Sequence, residues 1–125
     1  MAKDACLLIS RILLVFIFLH AGIGKIQHFA DTIGYMQHYN VPLVKVSLII
    51  AIAIEVGLAI LIILGFKARY SAIIMMLYLV VITIIFHNIL KDPQQMINFL
   101  KNISILGGLL AIALQGPGKL SFDKD

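Results

Sequence analysis

One acidic residue, Glu55, stands in the middle of the apolar run VSLIIAIAIEVGLAILIILGF at positions 46–66. A run of about 20 apolar residues is long enough for a helix to cross about 30 Å of hydrocarbon. An ionisable group at mid-membrane costs about 2.5–3.5 kcal/mol on insertion scales. We therefore expect Glu55 to face the protein interior and to have a basic partner. Such a carboxylate can carry a proton or bind a ligand, and the alternative is a structural ion pair.

The basic partner of Glu55 has two candidates, Arg11 and Lys101. A helical rise of about 1.5 Å per residue places Arg11 about one to two turns from the depth of Glu55. A long arginine side chain reaching inward spans most of that gap, so we predict a buried Arg11–Glu55 ion pair. The same stripe of the first span carries further residues that we expect to face the bundle axis, namely Phe18, Gly22 and Lys25.

A second polar group is expected where the other ends of the spans meet. Antiparallel spans place six ligand-binding candidates at one depth near the outer surface: His20, Lys25, His87, Asn98, Lys101 and Asn102. Lys101 with the two asparagines can hydrogen-bond a quinone carbonyl or an anionic head group, or they are simply the solvated first turn of a helix. His20 and His87 have the placement of two axial haem ligands, although interfacial histidines are the preferred interpretation.

Composition narrows the functional classes. Hydrophobic residues make up 62% of the 125-residue chain, charged residues make up 13%, and the mean hydropathy is +1.06. This composition is not that of an ordinary soluble domain. The net charge is +4, but the basic residues are scattered along the chain, so nucleic-acid binding has no support. The positive charge fits contact with anionic lipid head groups. The single cysteine, Cys6, excludes an intrachain disulfide. We predict no metal site and no catalytic residue, because neither metal-ligand spacing nor a nucleophile–base pair occurs.

The elements that must position these residues are four membrane-spanning helices. The apolar stretches predict spans at about 6–23, 44–66, 70–87 and 96–114, and hence a single all-α domain, an antiparallel four-helix bundle. The segment at 27–40 between the first two spans is polar, and its aromatic residues suit the water–lipid interface. Gly116-Pro117-Gly118 is a helix stop.

An even number of spans places both termini on one side of the membrane. Six basic residues then lie on that side, and four lie on the other. The first set is Lys3, Arg11, Lys67, Arg69, Lys119 and Lys124, and the second is Lys25, Lys45, Lys91 and Lys101. This excess favours cytoplasmic termini in a bacterial cytoplasmic membrane.

Several short motifs follow one another along the chain: Arg11, then Gly22-Ile23-Gly24-Lys25, then Glu55-Val56-Gly57-Leu58 with Gly65, then Asn98-Phe99-Leu100-Lys101-Asn102, Leu106-Gly107-Gly108 and Gly116-Pro117-Gly118 with Leu120-Ser121. In this order they resemble the DoxX family of small four-span bacterial and archaeal membrane proteins. The resemblance covers nearly the whole chain.

The resemblance implies an association with membrane redox chemistry. Relatives are described as subunits of a terminal quinol oxidase or a thiosulfate:quinone oxidoreductase, or as partners of superoxide dismutase and a sulfurtransferase. It also implies a shared polar core of Arg11, Lys25, Glu55, Lys101 and Asn102. We therefore hypothesise an accessory subunit of a quinone-linked oxidoreductase, with quinone held by Lys101 and Asn102 and with Glu55 exchanging protons or locking the bundle. The alternatives are a proton-coupled transporter of small cations and a ligand-free scaffold, and a homo-oligomer is left open.

Overall fold

The computed structural model describes residues 2–86 and 93–118, and every regular element in these ranges is helical. The helices are α1 (Ala2–Gln27), α2 (Phe29–His38), α3 (Val44–Leu64), α4 (Ala68–Phe86) and α5 (Met96–Gln115). A short 3₁₀ turn, Pro93–Gln95, precedes α5. All but α2 are long and apolar enough to cross a membrane. The prediction of an all-α bundle with four spans is confirmed.

Tight turns make neighbouring helices antiparallel. At the end of α3, Gly65 has φ 74°, a left-handed conformation that glycine adopts without a steric penalty. The Gly65 amide donates to the carbonyl of Ile62 at 3.1 Å, and the Phe66 amide donates to the carbonyl of Leu61 at 2.9 Å. These two bonds form a Schellman motif. The chain therefore reverses within three residues and enters α4.

The core lies where α1, α3, α4 and α5 meet. The buried face of α4 repeats at helical spacing through Ala68, Ala72, Met75 and Leu79. It packs against buried side chains of the other spans, namely Val15 and Phe18 of α1, Ala59 and Ile62 of α3, and Leu109 and Ile112 of α5. Small residues in this interface let the backbones approach closely, as is usual where lipid rather than water surrounds a bundle.

Large apolar side chains cover the outside of the bundle. Leu13 is 71% exposed, Leu77 66% and Ile97 77%. In water such a surface would aggregate, whereas in a bilayer it faces acyl chains of the same polarity. The chain is therefore an integral membrane protein whose outer surface contacts lipid.

α1 approaches α3 closely at Gly22. A Cβ atom built on Gly22 would lie 2.5 Å from Cγ2 of Val56 and 3.2 Å from Cβ of Glu55, so no larger residue fits without movement. Arg11, Phe18 and Gly22 are all buried on this face of α1. The stripe predicted from the sequence thus does face the other spans.

A π-helical turn, Ala53–Leu58, interrupts the α-helical geometry of α3. Such a turn widens the helix and re-aims the side chains within it, and it occurs frequently at functional sites. Glu55 lies inside this turn and is buried. Ala51 and Ala59, about one turn away on either side, are also buried.

Candidate functional site

Glu55 is the most deeply buried acid in the described part of the chain, at 2% exposure. Its Oε1 atom lies 2.9 Å from Nζ of Lys25, which is near the end of α1. The approach of the two helices at Gly22 makes this contact feasible, because Lys25 follows Gly22 by less than one turn. The buried acid therefore has a basic partner, and that partner is Lys25.

The expected Arg11–Glu55 ion pair does not form. Arg11 is 1% exposed, and its Nη1 donates to the carbonyls of Ile62 at 2.9 Å and Ile63 at 2.6 Å. Ile62 lies about two turns beyond Glu55, or about 10 Å along α3. That separation is too great for Arg11 to reach both. Instead, the guanidinium binds the last carbonyls of α3, where a cation also complements the helix dipole.

The second neighbour of Glu55 is Tyr78 of α4. Its hydroxyl lies near the carboxylate. Oε2 of Glu55 is buried and makes no hydrogen bond of standard length and angle with any described group. The Tyr78 contact is therefore looser than the Lys25 contact. Oε1 of the carboxylate is thus held firmly by Lys25, whereas Oε2 is left without such a bond within the described residues.

Lys25 and Tyr78 line a cavity of about 360 Å³, which we name the Lys25 cavity. Its walls come from α1, α2, α3, α4 and the turn before α3. The remaining lining residues are Thr32, Tyr35, Met36, Val41, Pro42, Ser47, Ala51, Val81, Ile82, Ile85 and Phe86. Glu55 lies behind Lys25 and Tyr78 and does not itself line the cavity. A mostly apolar pocket of this size with a few convergent polar groups is typical of a small-molecule site.

The short helix α2 supplies an aromatic wall. The ring of Tyr35 stacks on Phe86 of α4 with centroids 5.6 Å apart and planes 16° apart. Tyr39 meets the same ring edge-on at 4.9 Å. Burial and a hydrogen bond with Tyr39 raise the pKa of Tyr35 to about 12, so its hydroxyl stays neutral. From the sequence we predict only that the segment at 27–40 lies at the water–lipid interface. Its aromatic residues are the feature of the sequence that could have indicated the aromatic wall.

The Lys25 cavity has a side that faces lipid. Val81 and Ile85 line it from α4, and both are exposed on the outer surface of the bundle. Lys25, Thr32 and Ser47 line the cavity from the other helices. A ligand with a polar head and an apolar tail would thus find partners for both parts.

The polar residues at the start of α5 do not join this cavity. Nδ2 of Asn102 donates to Oγ1 of Thr83 at 2.9 Å, and Thr83 donates to the carbonyl of Leu79 at 2.7 Å. Asn98 binds the side chain of Gln95 at 2.9 Å. Lys101 is exposed. Lys101 and Asn102 therefore do not line the cavity that Lys25 lines, because α5 packs on α4 and presents Asn102 to Thr83.

Of the two histidines suggested as haem ligands, only His20 lies within the described residues. His20 is exposed on α1 and is not among the residues that line the Lys25 cavity. His87 lies outside the described residues. Within residues 2–86 and 93–118, no group of three His, Cys, Asp or Glu side chains is placed to hold a metal ion.

The opposite end of the bundle, where α1 begins and α5 ends, is closed by the predicted helix stop. Gly116 has φ 80°, and a Cβ there would lie 3.0 Å from Nε of Arg69. Gly116 and Pro117 are buried. A second cavity of about 310 Å³, between α1 and α5, lies beside Arg11 at this end. The Lys25 cavity is separated from it by the length of the core.

Comparisons with known proteins agree with the architecture. A family model described as DoxX matches residues 6–88. Inner membrane protein YphA of Escherichia coli K12 is 39% identical over 128 residues, covering 98% of this chain and 91% of that protein. Inner membrane protein YqjF of the same organism is 35% identical over 122 residues, covering 98% and 92%. No solved structure matches the chain.

Proposed function

Because this chain belongs to the DoxX family, we propose that it is an accessory subunit of a quinone-linked membrane oxidoreductase and that it holds the quinone in the Lys25 cavity. The observation that carries the proposal is the joint placement of Lys25 and Tyr78 on one cavity wall, with the Glu55 carboxylate directly behind them. We propose the Lys25 cavity in place of Lys101 and Asn102 as the quinone site, because Asn102 is hydrogen-bonded to Thr83 and Lys101 is exposed.

The size and shape of the cavity suit a single ring. A volume of about 360 Å³ is at the small end of the range of ligand pockets, about 300–1,000 Å³. Tyr35 and Phe86 both line the cavity and supply aromatic surface against which a planar ring can pack. An isoprenoid tail would leave between Val81 and Ile85, which face the lipid.

The polar groups suit a neutral head group with oxygen acceptors. The Lys25 ammonium has three donors, and Glu55 accepts one of them at 2.9 Å. The positive charge is already balanced by Glu55, so an anion would have to compete with a buried carboxylate. A neutral carbonyl oxygen can accept a hydrogen bond from Lys25 without displacing the Glu55 carboxylate. Thr32 and Ser47 add hydroxyl groups on the facing walls.

The same ion pair disfavours a cation transporter. A transported cation needs an acidic site that is not already neutralised, and here the Lys25 ammonium occupies Glu55 at 2.9 Å. The four spans and the buried carboxylate alone would fit that class.

We place the protein in a bacterial inner membrane with both termini in the cytoplasm. The relatives YphA and YqjF are named inner membrane proteins. The basic residues Lys67 and Arg69, in the turn between α3 and α4, lie at the same end of the bundle as the start of α1, which fits the excess of positive charge on cytoplasmic loops. A reporter enzyme fused to the C-terminus and active only in the cytoplasm tests this orientation.

The binding proposal is tested by titrating detergent-solubilised protein with ubiquinone-1 and following tyrosine fluorescence. Ala51→Leu puts three extra carbons into the cavity from α3 and leaves the ion pair intact. Ala53→Leu makes the same change on the exposed side of that helix and is the matched control. We expect Ala51→Leu to weaken binding at least tenfold, and Ala53→Leu and Lys101→Ala to bind as the wild type does. Equal binding by all variants, or no binding by any, would sink the site.

The accessory-subunit part of the proposal needs a separate experiment. The tagged chain is purified from native membranes in a mild detergent, and co-purifying proteins are identified by mass spectrometry. We expect a membrane oxidoreductase subunit at a fixed stoichiometry. If the chain purifies alone and binds ubiquinone-1, the cavity stands and the partnership does not.

A further inference from the structure

Oε2 of Glu55, which is buried and has no hydrogen bond of standard geometry with a described group, is the feature that the binding proposal does not use. We infer that the site takes the reduced, hydroquinone form of its ligand, and that Tyr78 passes the hydroxyl proton of the ring to Oε2 of Glu55. This inference rests on the proposed function, since it concerns the same cavity. It adds a chemical step, the deprotonation of the bound ring.

Three observations support a proton route through Tyr78. Glu55 is 2% exposed, and its Oε2 atom has no hydrogen bond of standard geometry within the described residues. The Tyr78 hydroxyl faces that carboxylate. The same tyrosine lines the cavity, whereas Glu55 does not. Tyr78 is therefore the group through which a ligand in the cavity can reach the second carboxylate oxygen.

The step balances in atoms and charge. The O–H bond of a ring hydroxyl breaks, and its proton goes to the oxygen of Tyr78. The proton that Tyr78 carried goes to Oε2 of Glu55. The products are a quinolate anion, an unchanged tyrosine and a neutral glutamic acid. No electron leaves the ring in this step, so no oxidant is required.

Lys25 makes the exchange electrostatically feasible. Before the step its ammonium is paired with the Glu55 carboxylate at 2.9 Å, and after the step it is paired with the quinolate in the cavity that it lines. The number of buried charges is the same in both states. A separated charge would be expensive in a medium of low dielectric constant, and this arrangement avoids creating one. The firm Lys25 contact and the loose Tyr78 contact thus have different roles.

The probe for this step is 4-nitrophenol, a ring whose absorption reports its ionisation. It is added to the detergent-solubilised chain about one pH unit below its pKa in water, where it is mostly neutral. Absorbance gives the ionisation state of the bound probe. Calorimetry in two buffers of different ionisation enthalpy gives the number of protons released to solvent. Tyr78→Phe removes the proposed relay, and Tyr70→Phe, which makes the same change at an exposed position of α4 outside the cavity, is the matched control.

We expect wild type and Tyr70→Phe to bind the probe as phenolate without releasing a proton to the buffer, because Glu55 has taken it. We expect Tyr78→Phe to bind the probe as neutral phenol. Neutral phenol in the wild type, phenolate accompanied by one released proton, or phenolate in Tyr78→Phe would each overturn the proton route while leaving ligand binding intact. Failure of the wild type to bind both this probe and ubiquinone-1 would instead overturn the proposed function.

Discussion

Replacing Gly22 by alanine tests whether the contact between α1 and α3 positions the ion pair. The new Cβ would lie 2.5 Å from Cγ2 of Val56, whereas carbon atoms in contact prefer about 3.5–4.0 Å. The overlap is therefore at least about 1 Å. Val56 is β-branched and has little rotamer freedom in a helix, and Cβ of Glu55 at 3.2 Å and the backbone of Val56 at 3.4 Å leave little space on either side.

The helices must consequently move apart. Overpacking of this kind costs about 1–3 kcal/mol, and the displacement should also lengthen the Lys25–Glu55 contact from 2.9 Å, because Lys25 follows Gly22 on the same helix. We expect Gly22→Ala to lower the free energy of unfolding by that amount and to weaken ubiquinone-1 binding. Unfolding by sodium dodecyl sulfate, followed by circular dichroism, measures the first effect, and the fluorescence titration measures the second.

Gly24→Ala is the matched control, since a Cβ atom built on Gly24 would have no described atom of another part of the chain within 4 Å. Val56→Ala removes the obstructing methyl group, so the double variant Gly22→Ala/Val56→Ala should be more stable than the sum of the two single effects by about 1 kcal/mol. The reasoning is refuted if Gly22→Ala is as stable as Gly24→Ala, or if the two substitutions are additive.

Three further predictions concern residues away from the Lys25 cavity, and each should change stability without changing ligand affinity. Arg11→Met removes charge-assisted hydrogen bonds to two carbonyls of α3, and we expect a loss of about 1.5–3 kcal/mol in the detergent unfolding assay. Asn102→Leu removes the hydrogen bond to Thr83, and we expect a loss of about 0.6–1.7 kcal/mol in the same assay. A larger loss in ubiquinone-1 affinity than in stability would instead support the quinone site at Lys101 and Asn102. Gly116→Ala strains a backbone at φ 80° and ψ −179° against Arg69, and we expect a loss of about 1–3 kcal/mol by thermal unfolding, whereas unchanged stability would show that this turn relaxes freely.

The bundle could be predicted because hydropathy reports directly on membrane spans. The four apolar runs gave the helices, and the spacing of Arg11, Phe18 and Gly22 gave the buried face of α1. The boundaries moved by a few residues, with α1 beginning at Ala2 and continuing to Gln27. That extension keeps Lys25 within the helix.

The ion-pair partner was predicted wrongly because the depth of each residue was estimated from the ends of the spans. An antiparallel contact is set by where the backbones meet, and here Gly22 meets Val56. Glu55 is then level with the last turns of α1, and Arg11 is level with the end of α3. The small residue Gly22, where α1 approaches α3 closely, is the feature of the sequence that indicates the register of these two helices.

The remaining features of the site leave little trace in one sequence. A π-helical turn has no distinctive hydropathy, and α2 has mixed polarity over only ten residues. Asn98, Lys101 and Asn102 look like a ligand-binding cluster by type, yet Asn102 serves the contact between α4 and α5. Polar side chains in a membrane bundle stabilise helix pairs as readily as they bind ligands, and only their neighbours distinguish the two roles.

Photoaffinity labelling tests most directly whether the ligand lies between α2 and α4, beside Lys25. A ubiquinone analogue with an azido group on its ring is irradiated with the purified chain, and the labelled residues are located by mass spectrometry. We predict labels on Thr32, Tyr35 and Val81, which line the cavity, and competition by unlabelled ubiquinone-1. Labels confined to Asn98, Lys101 and their neighbours at the start of α5 would contradict the account.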